Sequence, residues 1–232
     1  YSVQSCVENK EFSRYRLPEY LLKNYWWAYL SPIGMKIFDH PFIVNRILWG
    51  QYKTIAEDTV ALIAKNKASR VAGISCAYGD FFPLLAQENT VEQMFVFDIA
   101  PIQVQKMQQK LAEQASKSFF FISNAEQIAM QNEQVNCSVL FFLLHEIPTQ
   151  ARKNVLYEAI RITEKGGRLI IADYAPLNSS HFFHKNAIIR GVFEKLEPFL
   201  AEFRQTHLVT EITEQAISQG RTITVNSTQH YW

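Results

Sequence analysis

Between residues 68 and 175 short apolar runs alternate with amphipathic stretches, and this alternation constrains the fold more than any other feature of the chain. The run at 135–144 reads as a strand buried on both faces. Shorter runs at 69–76, 94–97, 118–122 and 168–172 read as four further strands. Helical spacing falls between them at Phe81, Leu84 and Leu85, over 104–115, and over 149–162 ahead of Gly166 and Gly167. Strands and helices in this rhythm imply a doubly wound, mostly parallel α/β sheet. Residues 1–66 differ: they are aromatic-rich and read as helices over 17–30, 33–38 and 41–65. The expected organisation is a helical cap at 1–66 on an α/β domain at 67–232, forming one compact unit. Residues 210–219 read as a helix and 221–227 as a sixth strand. The partner of that strand would lie past Trp232, so the expectation is a longer or trimmed chain with an exposed edge.

Composition matters mainly for what it excludes. The chain of 232 residues is 48% hydrophobic with 17 Phe and 10 Tyr, enough to bury a core and too apolar for disorder. A formal charge of +1 gives no basic stripe, so no nucleic-acid partner is expected. Cys6, Cys76 and Cys137 are too few and too scattered for a disulfide framework or a zinc site. They read as free thiols of a reducing compartment. No run reaches the length of a membrane-spanning helix. The expected location is cytoplasmic, at the inner face of a membrane or free, with an organellar location left open because the chain starts at Tyr1.

In a doubly wound sheet the ligand sits at the carboxyl ends of the strands. Four pieces stand there in order. The turn Cys76, Ala77, Tyr78, Gly79, Asp80 follows the first strand, where backbone must approach a ligand closely. Asp98, with Ile99 beside it, ends the second, where a carboxylate can accept from both hydroxyls of a ribose. Asn124 and Ala125 follow the third and could meet an adenine amino group. Phe141 and Phe142, leading to His145 and Glu146, end the fourth beside the reactive end of a nucleoside. Together they fit an S-adenosylmethionine site. A nicotinamide dinucleotide is disfavoured because Gly79 is the only glycine of the turn and no phosphate cradle is evident.

These pieces resemble the class I S-adenosylmethionine-dependent methyltransferases, including those that act on quinone precursors. A more specific likeness covers residues 17–200. Leu17-Pro18-Glu19-Tyr20, the string Tyr25-Trp26-Trp27-Ala28-Tyr29-Leu30, and Ile43 to Gly50 are similar to the N-terminal signature of the rhodoquinone-biosynthesis family. So are the glycine-poor turn, the segment Phe141 to Glu146, Asp173-Tyr174, and Leu196-Glu197-Pro198-Phe199. The resemblance implies a Rossmann-like methyltransferase fold and conversion of ubiquinone to rhodoquinone, with an amino group replacing a ring methoxy. It also implies S-adenosylmethionine as amino donor and a divalent metal, manganese by preference. Gly73 in place of the usual first-strand acid, and Ala77 in place of the first glycine, hint that methyl transfer is not the chemistry; they would equally mark a decayed site.

The candidate chemistry falls on few residues. His145 reads as a general base or metal ligand, or else as a histidine capping the next helix. Glu146 and Asp173 are further catalytic and metal candidates, and Asp173 is otherwise a turn residue. Tyr25 and Tyr29 share a helix face and, with Trp26 and Tyr174, could hold a flat quinone ring. The bland alternative is a helix packed on the core. His181, Phe182, Phe183 and His184 could dip into a membrane interface to collect a lipid-tailed quinone, or anchor a helix start. The partners expected are a lipophilic quinone and peripheral membrane contact. Conventional methylation of a quinol, and binding without turnover, stay open as alternatives.

Overall fold

In the computed structural model residues 17–48, 50–175 and 197–227 are described. Cys6, Trp49, His181, Phe182, Phe183, His184 and Leu196 lie outside them. Five strands form one parallel sheet in the order β3-β2-β1-β4-β5: β1 Arg70–Ile74, β2 Gln93–Asp98, β3 Ser118–Ile122, β4 Val135–Phe141 and β5 Thr163–Ala172. The order reverses between β1 and β4, which opens a crevice at the carboxyl ends of those two strands. Register aligns the ends: Ile74 lies beside Phe97 and Leu140, Asp98 beside Ile122, and Phe141 beside Ala172.

Apolar side chains fill both faces. On one, Val71, Met94, Val96, Cys137 and Val139 meet helices α4 (Tyr52–Lys65) and α5 (Phe81–Gln87) through Ala56, Ile63, Phe81, Phe82 and Leu85. On the other, Ala72, Ile74, Phe97 and Leu140 meet α7 (Thr149–Ile162) through Ala151, Val155, Leu156 and Ala159. The helix after β2 is α6 (Pro101–Lys110). Among the described residues three short helices precede α4: α1 (Leu21–Leu30), α2 (Pro32–Phe38) and α3 (Pro41–Ile47). Val44 and Leu48 enter the same core cluster as the sheet, so the helical segment and the sheet are packed together. Two helices close the described chain, α8 (Leu200–Gln205) and α9 (Leu208–Ser218).

Several boundaries differ from the sequence expectation. The helix expected over 41–65 is two, parted around Gly50, whose φ of +82° a helix cannot accommodate. Helix α1 is π-helical, a rare geometry that widens the turn and shifts the faces of its aromatic residues. Strand β4 stops at Phe141 because Phe142 has φ +54°, which takes the backbone out of the ladder. Helix α7 runs directly into β5, which starts at Thr163 rather than residue 168. Residues 221–227 form no strand: alternation alone is not enough without a neighbouring backbone, and none of the described residues supplies one.

Candidate active site

The turn after β1 is held by its own backbone and by the helical segment. Ser75 adopts φ +79° and its N–H donates to the Phe97 carbonyl at 2.8 Å. Gly79 has φ +80°, and a Cβ there would lie 2.5 Å from the Tyr52 ring. That ring explains the requirement: its hydroxyl donates to the Tyr78 carbonyl at 2.9 Å and accepts from the Phe81 N–H at 2.9 Å. The Gly79 N–H donates to Asp39 Oδ1 at 2.9 Å, and Lys110 donates to the Gly79 carbonyl at 2.8 Å. Tyr78 stacks on Tyr29, with rings 5.1 Å apart and nearly parallel, and its hydroxyl accepts from Gln103 at 3.0 Å. At the end of β2, Asp98 accepts from the Cys76 N–H at 2.7 Å and the Ala100 N–H at 2.8 Å. Burial nevertheless pushes its carboxyl up to about 6, against these stabilising donors.

At the ends of β4 and β5 the fold assembles the ionisable cluster. A short 3₁₀ turn, Leu144–Glu146, follows the kink at Phe142 and turns His145 inward, only 3% exposed. Asp173 Oδ1 lies 2.7 Å from His145 Nδ1 and accepts from the Tyr174 N–H at 2.8 Å, while Oδ2 accepts from the Leu144 N–H at 2.8 Å. Asp173 therefore fixes the imidazole with Nδ1 toward itself and leaves Nε2 3.9 Å from Glu146 Oε1. Tyr29 donates to Glu146, and Tyr25 donates to Glu197 Oε2 at 2.9 Å. Burial lowers the His145 pKa, but Asp173, Glu146 and Glu197 more than offset it and carry it up to about 9. Burial raises both Glu146 and Glu197, with repulsion from Glu197 adding to the first and repulsion from Asp173 to the second. Ligand atoms of His145, Glu146 and Glu197 all lie within 4.8 Å of one another.

A cavity of about 170 Å³ joins the turn to this cluster. Tyr25, Tyr29, Phe142 and Tyr174 wall it on the side of the cluster, and Ser75, Cys76, Ala77 and Tyr78 on the side of the turn. Phe141, His145, Glu146 and Glu197 also line it. Of the residues singled out in the sequence, Trp26 points away and is 38% exposed; its neighbour Trp27 lines the cavity instead. Gly79, Asp80, Asp98, Ile99, Asn124, Ala125 and Asp173 are not part of the lining. Asn124 accepts from the Glu126 N–H at 2.9 Å, closing a local turn. Sequence reading left Glu197, Tyr52 and Asp39 without a site role. Glu197 stood in a quoted motif, but only the fold brings it to Glu146.

Comparison with known proteins bears on the fold. Residues 71–167 match the family model described as a methyltransferase domain. No curated protein matches the chain in sequence. Among solved structures, an O-methyltransferase family protein from Burkholderia thailandensis is 14% identical with a TM-score of 0.59, covering 92% of this chain and 64% of that one. The N-methyltransferase NodS from Bradyrhizobium japonicum, solved with S-adenosyl-L-homocysteine, is 16% identical with a TM-score of 0.51, covering 75% and 81%. The YcgJ protein of Bacillus subtilis is 17% identical with a TM-score of 0.44, covering 53% of each chain. The fold is that of the class I methyltransferases. The chain spans under two thirds of the length of the Burkholderia protein and about half that of YcgJ.

Proposed function

We propose that the protein is an S-adenosylmethionine-dependent transferase acting on a quinone, and that it replaces a ring methoxy group of ubiquinone with an amino group. The observation that carries this reading is a proton-handling set enclosed by aromatic walls: His145 backed by Asp173, with Glu146 and Glu197 facing it. The aromatic walls Tyr25, Tyr29, Phe142 and Tyr174 suit a flat ring as occupant. Methylating a quinol oxygen asks for one base. Exchanging methoxy for amine asks for more, because a proton must leave the incoming nitrogen and another must reach the departing methoxy oxygen. His145 can move a proton at Nε2 while Asp173 holds the ring, and Glu146 and Glu197, raised by burial, can carry one.

The residues present also fit the two groups such a reaction needs. Asp98 stands at the end of β2, held by the Cys76 and Ala100 N–H groups and by the Cys76 and Ser75 side chains, and a ribose diol would have to displace those side-chain donors to reach it. Two carboxylates and an imidazole gathered in a buried space suit a divalent ion, and Asp173 behind His145 is the orienting partner that metal-bound histidines usually have. When bound, S-adenosylmethionine would supply the nitrogen, with methanol leaving the ring and the donor's Cα–N bond breaking by elimination, its electron pair staying on nitrogen as a Cβ proton is lost and the donor carbon chain departs as an alkene; the ion would act as a Lewis acid on a ring oxygen.

Conventional methylation of a quinol is the second reading, favoured by the methyltransferase family model over residues 71–167. One experiment separates the two: incubation with short-tailed ubiquinone, S-adenosylmethionine and manganese under reducing conditions, then mass spectrometry of the quinone. The expected product carries amino in place of methoxy and disappears with His145→Ala. A methylated product would move the protein to the second reading. Absence of both, with cofactor binding intact by calorimetry, would overturn the quinone assignment.

A further inference from the structure

Helices α1 to α3 roof the cavity through Trp27, Phe38, Val44 and Ile47, yet their other side is unusually apolar for an outer surface. Ile33 is 74% exposed, Ile37 50% and Phe42 66%, with Trp26 beside them in sequence. Ile33 and Ile37 are one turn apart on α2 and so share a face, and Phe42 stands in the first turn of the next helix. The charges on the same segment are one-sided. Lys23, Lys36 and Arg46 are exposed and pair with no acid among the described residues. Asp39 is the sole acidic residue from 21 to 48, and it is turned inward onto Lys106 and Lys110.

We infer that this outer side of α1 to α3 docks on an anionic lipid surface, with Ile33, Ile37 and Phe42 entering the headgroup boundary and Lys23, Lys36 and Arg46 facing lipid phosphates. Exposed apolar side chains on the same short helices as uncompensated cations suit that surface, whereas a neutral protein partner would leave the cations idle. No described helix is long and apolar enough to cross a membrane, so the attachment is to the surface. Its purpose, bringing a lipid-tailed quinone to the cavity under these helices, rests on the function proposed above; the binding itself does not.

The test is co-sedimentation of the protein with phosphatidylcholine vesicles with and without phosphatidylglycerol. Binding is expected only with the anionic lipid, weakening as salt rises. Ile33→Asn, Ile37→Asn and Phe42→Ser together should cut the partition coefficient at least about tenfold, and Lys36→Gln or Arg46→Gln about fivefold each. The variants should keep their circular dichroism and their turnover of a water-soluble short-tailed quinone, while losing turnover of a long-tailed quinone held in vesicles. No binding by the unaltered protein, or undiminished binding by the triple variant, overturns the inference. So does light scattering that shows the triple variant splitting a dimer, which would assign the face to a second copy. Vesicle binding without any quinone product would sink the proposed reaction and leave the docking face standing.

Discussion

Gly73 shows how a residue can carry a misleading signal. In the sequence its place in β1, where the resemblance to methyltransferases leads one to expect an acid, hints at altered chemistry. In the structure a Cβ at 73 would lie 2.2 Å from the Phe82 ring, so packing alone accounts for the glycine. Gly73→Glu should therefore not restore a methyltransferase-like site. It should destabilise the fold by about 3 kcal/mol or more, through overpacking and an unpaired buried carboxylate, and Gly73→Ala by about 1–3 kcal/mol. Urea denaturation checks both, and an unchanged midpoint for Gly73→Ala would show that Phe82 yields freely. His145 at a strand end reads as a candidate base from its chemistry, and the fold buries it against Asp173. Asp173 was read as a ligand candidate, but its two oxygens are occupied by Leu144, His145 and Tyr174, which makes it an orienting residue. Nothing local marks Glu197, because its meaning is its distance from Glu146.

Among elements, the strands were the most legible, since period and burial agree along each one. Strand β3 was read at 118–122, as found, whereas β4 was drawn three residues too long. The excess is the segment that leaves the ladder at Phe142, and an apolar run carries no mark of a positive φ. The helices before the sheet were read as helices without their purpose. Asp39, between α2 and α3, accepts from the Gly79 N–H and pairs with Lys106 and Lys110 on α6, so it ties the cavity roof to the turn after β1. Asp39→Ala removes the tie and leaves two half-buried ammonium groups facing each other. The expected cost is about 1–3 kcal/mol, felt as opening of α1 to α3 rather than of the sheet. Hydrogen exchange should then show residues 21–48 losing protection while β1, β2 and β4 keep theirs. Equal loss in both regions would mean that the helices and sheet open as one unit.

Over the whole molecule the buried ionisable groups act in one direction. Asp98 is raised from 3.8 to about 6, Glu146 from 4.5 to about 8, and His145 from 6.5 to about 9. Each binds a proton more tightly folded than unfolded, so between pH 4 and 9 the native state holds more protons. Stability must then fall as pH rises. The Asp98 share is complete below 3.8 and gone above about 6; the His145 share is complete below 6.5 and gone above about 9. This slope acts in opposition to the usual behaviour of surface carboxylates. A divalent ion held by His145, Glu146 and Glu197 would displace protons from that cluster, so its stabilisation should grow with pH. Melting curves of chelator-treated protein should show Tm falling from pH 5.5 to 8.5, and added manganese should raise Tm more at pH 8 than at pH 6. Both slopes follow from one cause, the crowding of acids around His145 in a space that excludes water. A Tm that rises with pH in the chelated protein would show that the cluster is wetter than its burial implies. A manganese effect independent of pH would place the ion on the surface instead.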